Sequence, residues 1–283
     1  MNQVFNFTNY SELLPLMAQS IYAALVLGVV GGVVGVFVQA RQAAFAVHGI
    51  SELSFSGAAL FLLLGWNVVI GSIFGSIIAA ILIAVLGWGA KGKNQSMIGI
   101  LMPVGLGLGI LFISLYQGRS ANKFGLLTGQ IVAVESSQLT AMVIMAAVVL
   151  VSLAAVGRPL LFASVDRDVA QVHGVPVKAL DMVFMIVLGI ATAMSVHIVG
   201  SLLVMALLVT PAVSASYVAK SPVGVFAVSV ACGVIASVGG VMLSLGGNIP
   251  VSPYITTLSF ILFVICWSIG HFQAVRGKTR LKT

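Results

Sequence analysis

The stretch FAVHGISELSFSGAALFLLLGW, residues 45–66, decides the class of fold to which this chain belongs. Apart from one histidine and one glutamate, its side chains are apolar or small and uncharged. A helix needs about 20 such residues to cross the hydrocarbon core of a bilayer, so the stretch has the length of one crossing. It predicts a transmembrane helix that carries two ionisable groups, His48 and Glu52.

The composition of the whole chain is typical of a protein built from such helices. Of its 283 residues, 60% are hydrophobic and only 7% are charged, and the mean hydropathy is +1.19. A water-soluble domain does not tolerate this balance. We therefore predict an all-α, polytopic transmembrane helical bundle that forms one domain over residues 1–283, with no additional soluble domain.

Apolar segments divide the chain into candidate membrane spans of about 20 residues each. There are nine of them, at residues 13–38, 45–64, 66–88, 96–116, 138–156, 180–198, 200–218, 222–245 and 253–275. The junction at Val199 and Gly200 is a weak point, because two helices would meet there with almost no loop. The short apolar run 124–134 is a candidate re-entrant helix. Eight spans with irregular pieces is the alternative to nine.

The basic residues give the chain a formal net charge of +7 and lie mostly in short loops and at the C-terminus. Lys and Arg concentrate on the cytoplasmic side of membrane proteins. A nine-span topology with the N-terminus outside and the C-terminus in the cytoplasm puts eleven of the thirteen Lys and Arg residues inside. Membrane orientation thus explains the charge, and we expect membrane lipid as a partner but no nucleic acid.

The stretch GWGAKGKN, residues 87–94, comes close to the phosphate-binding loop GxxxxGK[ST]. Asn94 stands where that loop needs a hydroxyl ligand for magnesium, and the stretch follows an apolar membrane segment instead of a buried strand. We therefore do not expect the chain to be an enzyme, and ATP hydrolysis would have to come from a partner chain.

A charged loop, FASVDRDVAQVHGVPVKALD at residues 162–181, separates two apolar segments and contains three of the six acidic residues. Together with VHIVGSLLVMALLVTPAVSA at residues 196–215, this loop resembles the signature region of the bacterial ABC-3 permeases. These are the membrane subunits of manganese, zinc and iron importers. The resemblance covers the whole chain in length and in the layout of the spans.

The resemblance implies a type II-like importer permease in the bacterial plasma membrane. Such a permease forms a homodimer, binds two cytoplasmic ATPase subunits, and receives metal from an extracytoplasmic metal-binding protein. It also implies that the segment at about 162–178 is a coupling loop that docks on the ATPase. The residues assigned to this contact are Asp166, Arg167, Asp168, Val169, Ala170, His173, Gly174, Val175 and Pro176.

The opening stretch resembles a second motif of the same family, with one departure. Many members have R-x-x-x-F-F-G-D-A-L-S-H-A-A-L-P-G-x-A-L, in which an Asp and a His four residues apart are associated with metal. Aligned on Arg41, this chain has His48 in place of the Asp and Glu52 in place of the His, and Ser56 replaces the Pro. The ligand types are exchanged while their spacing is kept.

The chemistry of the pair supports a metal role without the resemblance. Residues four apart lie on one face of a helix, so His48 and Glu52 present nitrogen and oxygen to one point, which suits Mn²⁺, Zn²⁺ or Fe²⁺. A carboxylate within a membrane segment is costly and usually serves function. The alternative is a pair that only neutralises itself. His197 near the end of another span is either a third pathway ligand or a hydrogen-bonded interior histidine.

These observations predict a permease subunit of an ATP-binding-cassette importer that moves a divalent metal ion, Mn²⁺ or Zn²⁺ and by resemblance also Fe²⁺, into the cytoplasm. The metal is the substrate, and no intrinsic cofactor is expected. One alternative is a permease for a metal chelate such as a siderophore or haem. Another is a carrier driven by an ion gradient, in which His48 and Glu52 bind coupling protons. The donor types do not identify the metal, because they suit all three ions.

Overall fold

The structure is a computed structural model that describes residues 17–86, 93–118, 125–126, 134–244 and 250–280. In chain order, the α-helices of these ranges are α1 (Ala18–Ala40), α2 (Ala44–Leu63), α3 (Val68–Leu86), α4 (Lys93–Leu115), α5 (Ser136–Val165), α6 (Arg167–Val172), α7 (Val177–Val199), α8 (Val204–Leu208), α9 (Thr210–Val218), α10 (Pro222–Ser244) and α11 (Val251–Arg280). A 3₁₀ turn (Ser201–Leu203) stands between α7 and α8.

Eight helices of the described ranges are long and apolar enough to cross a membrane, which confirms the prediction of a multi-span helical bundle. The seventh predicted segment, 200–218, does not form a continuous span but consists of the 3₁₀ turn, α8 and α9. Pro211, in the first turn of α9, contributes to the break between α8 and α9, because proline has no N–H to donate to the carbonyl of Leu207. The eight-span alternative therefore describes the long helices correctly. Residues 87–92 of the phosphate-loop-like stretch and most of the run 124–134 lie outside the described residues.

The structure divides into two compact units, of which the first consists of Met1–Gln39 and Ala206–Thr283. Within it, α1 packs against α10 at Gly28 and Gly32, where an added Cβ would lie 2.7 Å from Val234 Cα and 2.5 Å from Val230 Cα. Small residues let helix backbones approach this closely in a membrane. Because the residue numbers rise along one helix as they fall along the other, α1 and α10 are antiparallel.

The interrupted segment α8–α9 runs alongside α11 in the same unit. The Ser259 hydroxyl of α11 donates to the Ala206 carbonyl at 3.1 Å, and a Cβ added at Gly270 would lie 2.5 Å from the Tyr217 carbonyl. Both segments advance by eleven residues between these contacts, which is about 16 Å of helix. The two segments are therefore parallel.

Helix α1 is also parallel to α8–α9. A Cβ added at Gly31 would lie 2.7 Å from the Leu207 carbonyl, and one added at Gly35 would lie 3.2 Å from the Ala212 Cβ. Since α1 and α11 are both parallel to the same segment, they run in one direction. The start of α1 and the end of α11 thus lie at opposite faces of this unit.

The second unit, Ala40–Met205, is built around α2. This helix is antiparallel to α3, where the carbonyl of Leu53 lies 2.2 Å from a Cβ added at Gly75 and the carbonyl of Gly71 lies 2.3 Å from one added at Gly57. It is parallel to α4, because Gly49 faces Ile98 while Phe55, further along, faces Gly109. The central position of α2 buries most of its side chains within this unit.

Candidate metal pair and coupling loop

His48 and Glu52 lie on one face of α2, as their spacing predicts. The distance from His48 Nδ1 to Glu52 Oε1 is 3.9 Å, which is within ion-pair range but too long for a hydrogen bond. The Glu52 side chain is only 4% exposed, whereas that of His48 is 36% exposed. His48 Nδ1 and Glu52 Oε2 have no hydrogen-bond partner among the described residues. The pair therefore presents a nitrogen and an oxygen that the described part of the chain leaves unsatisfied.

Gly105 of α4 makes room for the Glu52 backbone and side chain. A Cβ at this position would lie 2.9 Å from the Glu52 carbonyl carbon and 3.1 Å from the Glu52 Cβ. Gly107, two residues further on the same helix, has no atom within 4 Å of the equivalent point. Only the first of these glycines is thus required by packing, and it allows the close approach of α4 to α2 at Glu52. Composition alone does not distinguish the two.

His197 lies apart from the pair, in the last turn of α7, and lines a cavity of about 390 Å³. The cavity wall also contains Asn67 and Glu135, and it reaches Leu62 near the end of α2. Ten residues of α2, or about 15 Å of helix, separate Leu62 from Glu52. In the described part of the chain, no three His, Cys, Asp or Glu side chains form a group that could hold a metal. His197 therefore does not complete a site with His48 and Glu52 in this structure, and its Nδ1 also has no hydrogen-bond partner among the described residues.

The charged loop contains the short helix α6, and hydrogen bonds at both of its ends hold it in place. The Asp166 side chain accepts hydrogen bonds from the backbone N–H groups of Asp168 at 3.1 Å and Val169 at 3.0 Å. At the other end, Gly174 adopts a φ of +79°, and the Val175 N–H donates to the Ala170 carbonyl at 3.0 Å. The left-handed conformation favours glycine. The chain then enters α7 directly after Pro176.

The two faces of α6 differ in exposure. Ala170 is fully buried and packs with Ala163 and Val177. By contrast, Val172 is 86% exposed and Val169 is 42% exposed, although both are apolar. Exposed apolar side chains grouped on one face are typical of surfaces that bind a partner. The sequence analysis assigned Val169 and Ala170 to the same contact, but the structure divides them between the surface and the core.

Charged side chains surround the first turns of α7, a feature that the sequence analysis did not identify. The Asp181 carboxylate accepts hydrogen bonds from Arg41, which precedes α2, and from Arg167 of α6. Burial lowers the pKa of the Arg41 guanidinium, and the charge of Asp181 acts in the opposite direction. The available signal in the sequence was Asp181 itself, an acidic residue close to the start of an apolar helix. Its partners could not be read from the sequence, because they are 140 and 14 residues away in the chain.

Comparisons with known proteins show the family to which this fold belongs. The family model described as "ABC 3 transport family" matches residues 13–270. The manganese import system permease protein ScaB of Streptococcus parasanguinis is 31% identical over 91% of each chain. The high-affinity zinc uptake system membrane protein ZnuB of Haemophilus influenzae is 26% identical over 88% of this chain and 97% of its own. The structure of PsaBC from Streptococcus pneumoniae, solved in complex with a Fab, matches with a TM-score of 0.82 and 28% identity over 92% of this chain and 95% of that one.

The protein is a multi-span permease subunit of an ATP-binding-cassette transporter. It belongs to the ABC 3 transport family, because the family model covers nearly the whole chain. Permease subunits of this family are not enzymes themselves; they act in the plasma membrane together with an ATPase and a substrate-binding protein. The relatives described above are named for manganese and zinc, and neither is named for iron or for a metal chelate.

Proposed function

We propose that the chain carries Mn²⁺ or Zn²⁺ inward across the membrane, and that His48 and Glu52 contact the ion transiently during its passage. The observation that carries the proposal is the pair on α2: Glu52 is buried, His48 Nδ1 lies 3.9 Å from Glu52 Oε1, and His48 Nδ1 and Glu52 Oε2 have no hydrogen-bond partner among the described residues. Two protein ligands are fewer than a closed structural zinc site uses. Transport requires binding weak enough to release the ion, so a sparse site suits it.

The remaining ligands would come from water, from a second permease copy or from other groups along the pathway. A homodimer that binds two ATPase subunits brings two copies of the pair into one complex. His197 and the cavity at the far end of α2 would then meet the ion at a different stage from His48 and Glu52. The relatives named for manganese and zinc support these two ions as substrates.

We further propose an orientation with the N-terminus outside and the C-terminus in the cytoplasm, in which the interrupted segment α8–α9 makes a ninth crossing beside the eight long helices. The parallel course of α1 and α11 supports this, because it puts the start of one and the end of the other at opposite faces of the first unit. In the second unit, Arg41 and Arg167 meet at Asp181, so these two basic residues share one end of that unit. The positive-inside rule assigns such an end to the cytoplasm. Cysteines introduced at Asn6 and Thr279 test the orientation, since only the first should react with an impermeant thiol reagent in intact cells.

The same orientation gives α6 access to a cytoplasmic ATPase subunit. Its fixed ends and its exposed Val169 and Val172 suit a helix that docks in a groove of that partner. We therefore assign the segment 162–178 to ATPase coupling. Arg167, Asp168 and His173 would line the rim of this contact, while Ala170 and Val175 hold α6 against its neighbours.

The test of the metal role is uptake of radioactive manganese and zinc by cells that carry single and double variants. We expect Glu52→Ala or His48→Ala to abolish uptake while assembly and basal ATPase activity persist, and Glu52→Asp to retain part of the uptake. His271→Ala, which removes an exposed histidine from α11, is the control and should transport normally.

The double variant His48→Ala, Glu52→Ala separates the metal role from simple neutralisation. If the two groups only neutralised each other, removing both would leave no buried charge unpaired, and uptake would return. Near-normal uptake in this variant contradicts the metal role. Loss of uptake in a normally assembled complex supports it.

A further inference from the structure

Asp181 joins three parts of the second unit through a single carboxylate. Its Oδ1 accepts from Nη2 of Arg41, in the turn before α2, and its Oδ2 accepts from Nη2 of Arg167 on α6. Asp181 itself belongs to the first turns of α7. One side chain thus connects the helix assigned to ATPase docking with the helix that carries His48 and Glu52.

The two arginines differ in burial, so their bonds to Asp181 differ in character. The Arg41 side chain is 11% exposed, its guanidinium carbon lies 5.1 Å from the centre of the Phe184 ring, and its Nη1 has no hydrogen-bond partner among the described residues. The Arg167 side chain is 52% exposed. A buried arginine depends strongly on its one carboxylate, whereas a half-exposed ion pair is weak and can exchange with water.

We infer that Arg41, Asp181 and Arg167 are positioning residues that transmit the movement of α6 to α2. In this arrangement the bond between Arg41 and Asp181 is permanent, and the bond from Arg167 breaks and re-forms as the ATPase moves α6. Glu52 lies eight residues beyond the start of α2 at Ala44, or about 12 Å along the helix. A displacement at the start of this stiff helix therefore also moves the pair. The inference rests on the proposed function, because it takes α6 as the ATPase contact.

The experiment uses the complete complex of permease, ATPase and binding protein in proteoliposomes. Its readouts are the number of ions transported per ATP hydrolysed and the stimulation of ATP hydrolysis by the loaded binding protein. Asp181→Asn should lower transport per ATP by about tenfold, and Arg167→Ala by about threefold, while the ATPase remains bound. Asp181→Glu, which keeps a carboxylate, should recover part of the loss.

The double variant Asp181→Asn, Arg167→Ala decides whether the two residues act through one link. If they do, it should be no worse than Asp181→Asn alone, whereas independent defects would multiply. The matched control is Arg158→Ala, which removes an exposed basic side chain outside the segment 162–178 and should leave both readouts unchanged.

Normal coupling in both Asp181→Asn and Arg167→Ala overturns the inference, and so do multiplying defects in the double variant. If Asp181→Asn fails to assemble, Arg167→Ala decides alone, because the Arg167 side chain is half-exposed. Normal coupling in Arg167→Ala would then mean that the cluster has only a structural role. In the inferred arrangement, stimulation of ATP hydrolysis depends on the cluster of Arg41, Asp181 and Arg167, and we expect it to persist in Glu52→Ala. It therefore separates failure of this inference from failure of the proposed metal site, which the uptake assay of Glu52→Ala reports.

Discussion

Two groups of ionisable side chains on or beside α2 differ in how the protein satisfies them. Beside the turn that precedes α2, the carboxylate of Asp181 from α7 uses both of its oxygens to bind arginines. Eleven residues beyond Arg41, Glu52 keeps an oxygen with no hydrogen-bond partner among the described residues. Buried polar atoms are normally paired, and exceptions call for an explanation. We propose from this difference that the first group holds helices together and that the second is available to a transported ion.

The first test of this comparison removes each carboxylate in turn and measures the stability of the permease. Asp181→Ala leaves the buried Arg41 guanidinium without its partner, so we expect a loss of about 3–5 kcal/mol in the free energy of unfolding. Glu52→Gln should cost much less, because the ionisable side chain that faces this carboxylate, His48, is 36% exposed and remains accessible to solvent. Thermal unfolding of the purified permease in detergent measures both. Equal losses of stability in the two variants would contradict the view that Asp181 holds helices together while Glu52 serves ion binding.

The sequence predicted the pair on α2 but not the cluster of arginines around Asp181, for a physical reason. His48 and Glu52 are four residues apart, so helical geometry alone puts them on one face. Arg41 and Asp181 are 140 residues apart, and only the packing of α2 and α7 brings them together. Local periodicity predicts the first kind of contact and carries no information on the second.

The prediction of the membrane spans likewise succeeded where local sequence determines the structure and failed elsewhere. Hydrophobic length identified the eight long helices, because each satisfies its own backbone within the bilayer. It failed at 200–218, where apolar composition continues through Gly200 and Pro211 although the helix does not. The proline was visible in the sequence, but its effect on the Leu207 hydrogen bond was not included in the segment count.

A second test alters the packing around Glu52 and leaves its carboxylate in place. Gly105→Ala would insert a methyl group 2.9 Å from the Glu52 carbonyl carbon. Overpacking of this kind typically costs about 1–3 kcal/mol, and we expect it to lower uptake by shifting the carboxylate. Gly107→Ala on the same helix enters open space and is the matched control. Uptake measurements that give equal results for the two variants would contradict a packing role for Gly105.

A smaller effect is expected at the exposed face of α6. Val172→Glu puts a charge on a side chain that is 86% exposed, so the permease should fold normally. Because the proposed contact buries this position, the charge should weaken ATPase binding by about tenfold, or roughly 1.4 kcal/mol. Binding of the isolated ATPase subunit to permease in nanodiscs measures the change. Val223→Glu, at a position 79% exposed on α10, is the control. An equal loss of affinity in both variants would exclude a specific contact at Val172.

The smallest expected effect concerns the turn that ends α6, where conformation can be separated from packing. Gly174 has a φ of +79°, yet a Cβ added there meets no atom within 4 Å. Gly174→Ala therefore tests backbone strain alone, and the left-handed conformation should cost about 1 kcal/mol. Gly174→Asn should cost less, because asparagine adopts this conformation more readily. If strain displaces α6, coupling of ATP hydrolysis to uptake should fall in the order Gly, Asn, Ala, while the metal affinity of the His48 and Glu52 pair stays constant. A change in metal affinity that follows the same order would mean that the turn and the pair are not separate parts of the mechanism.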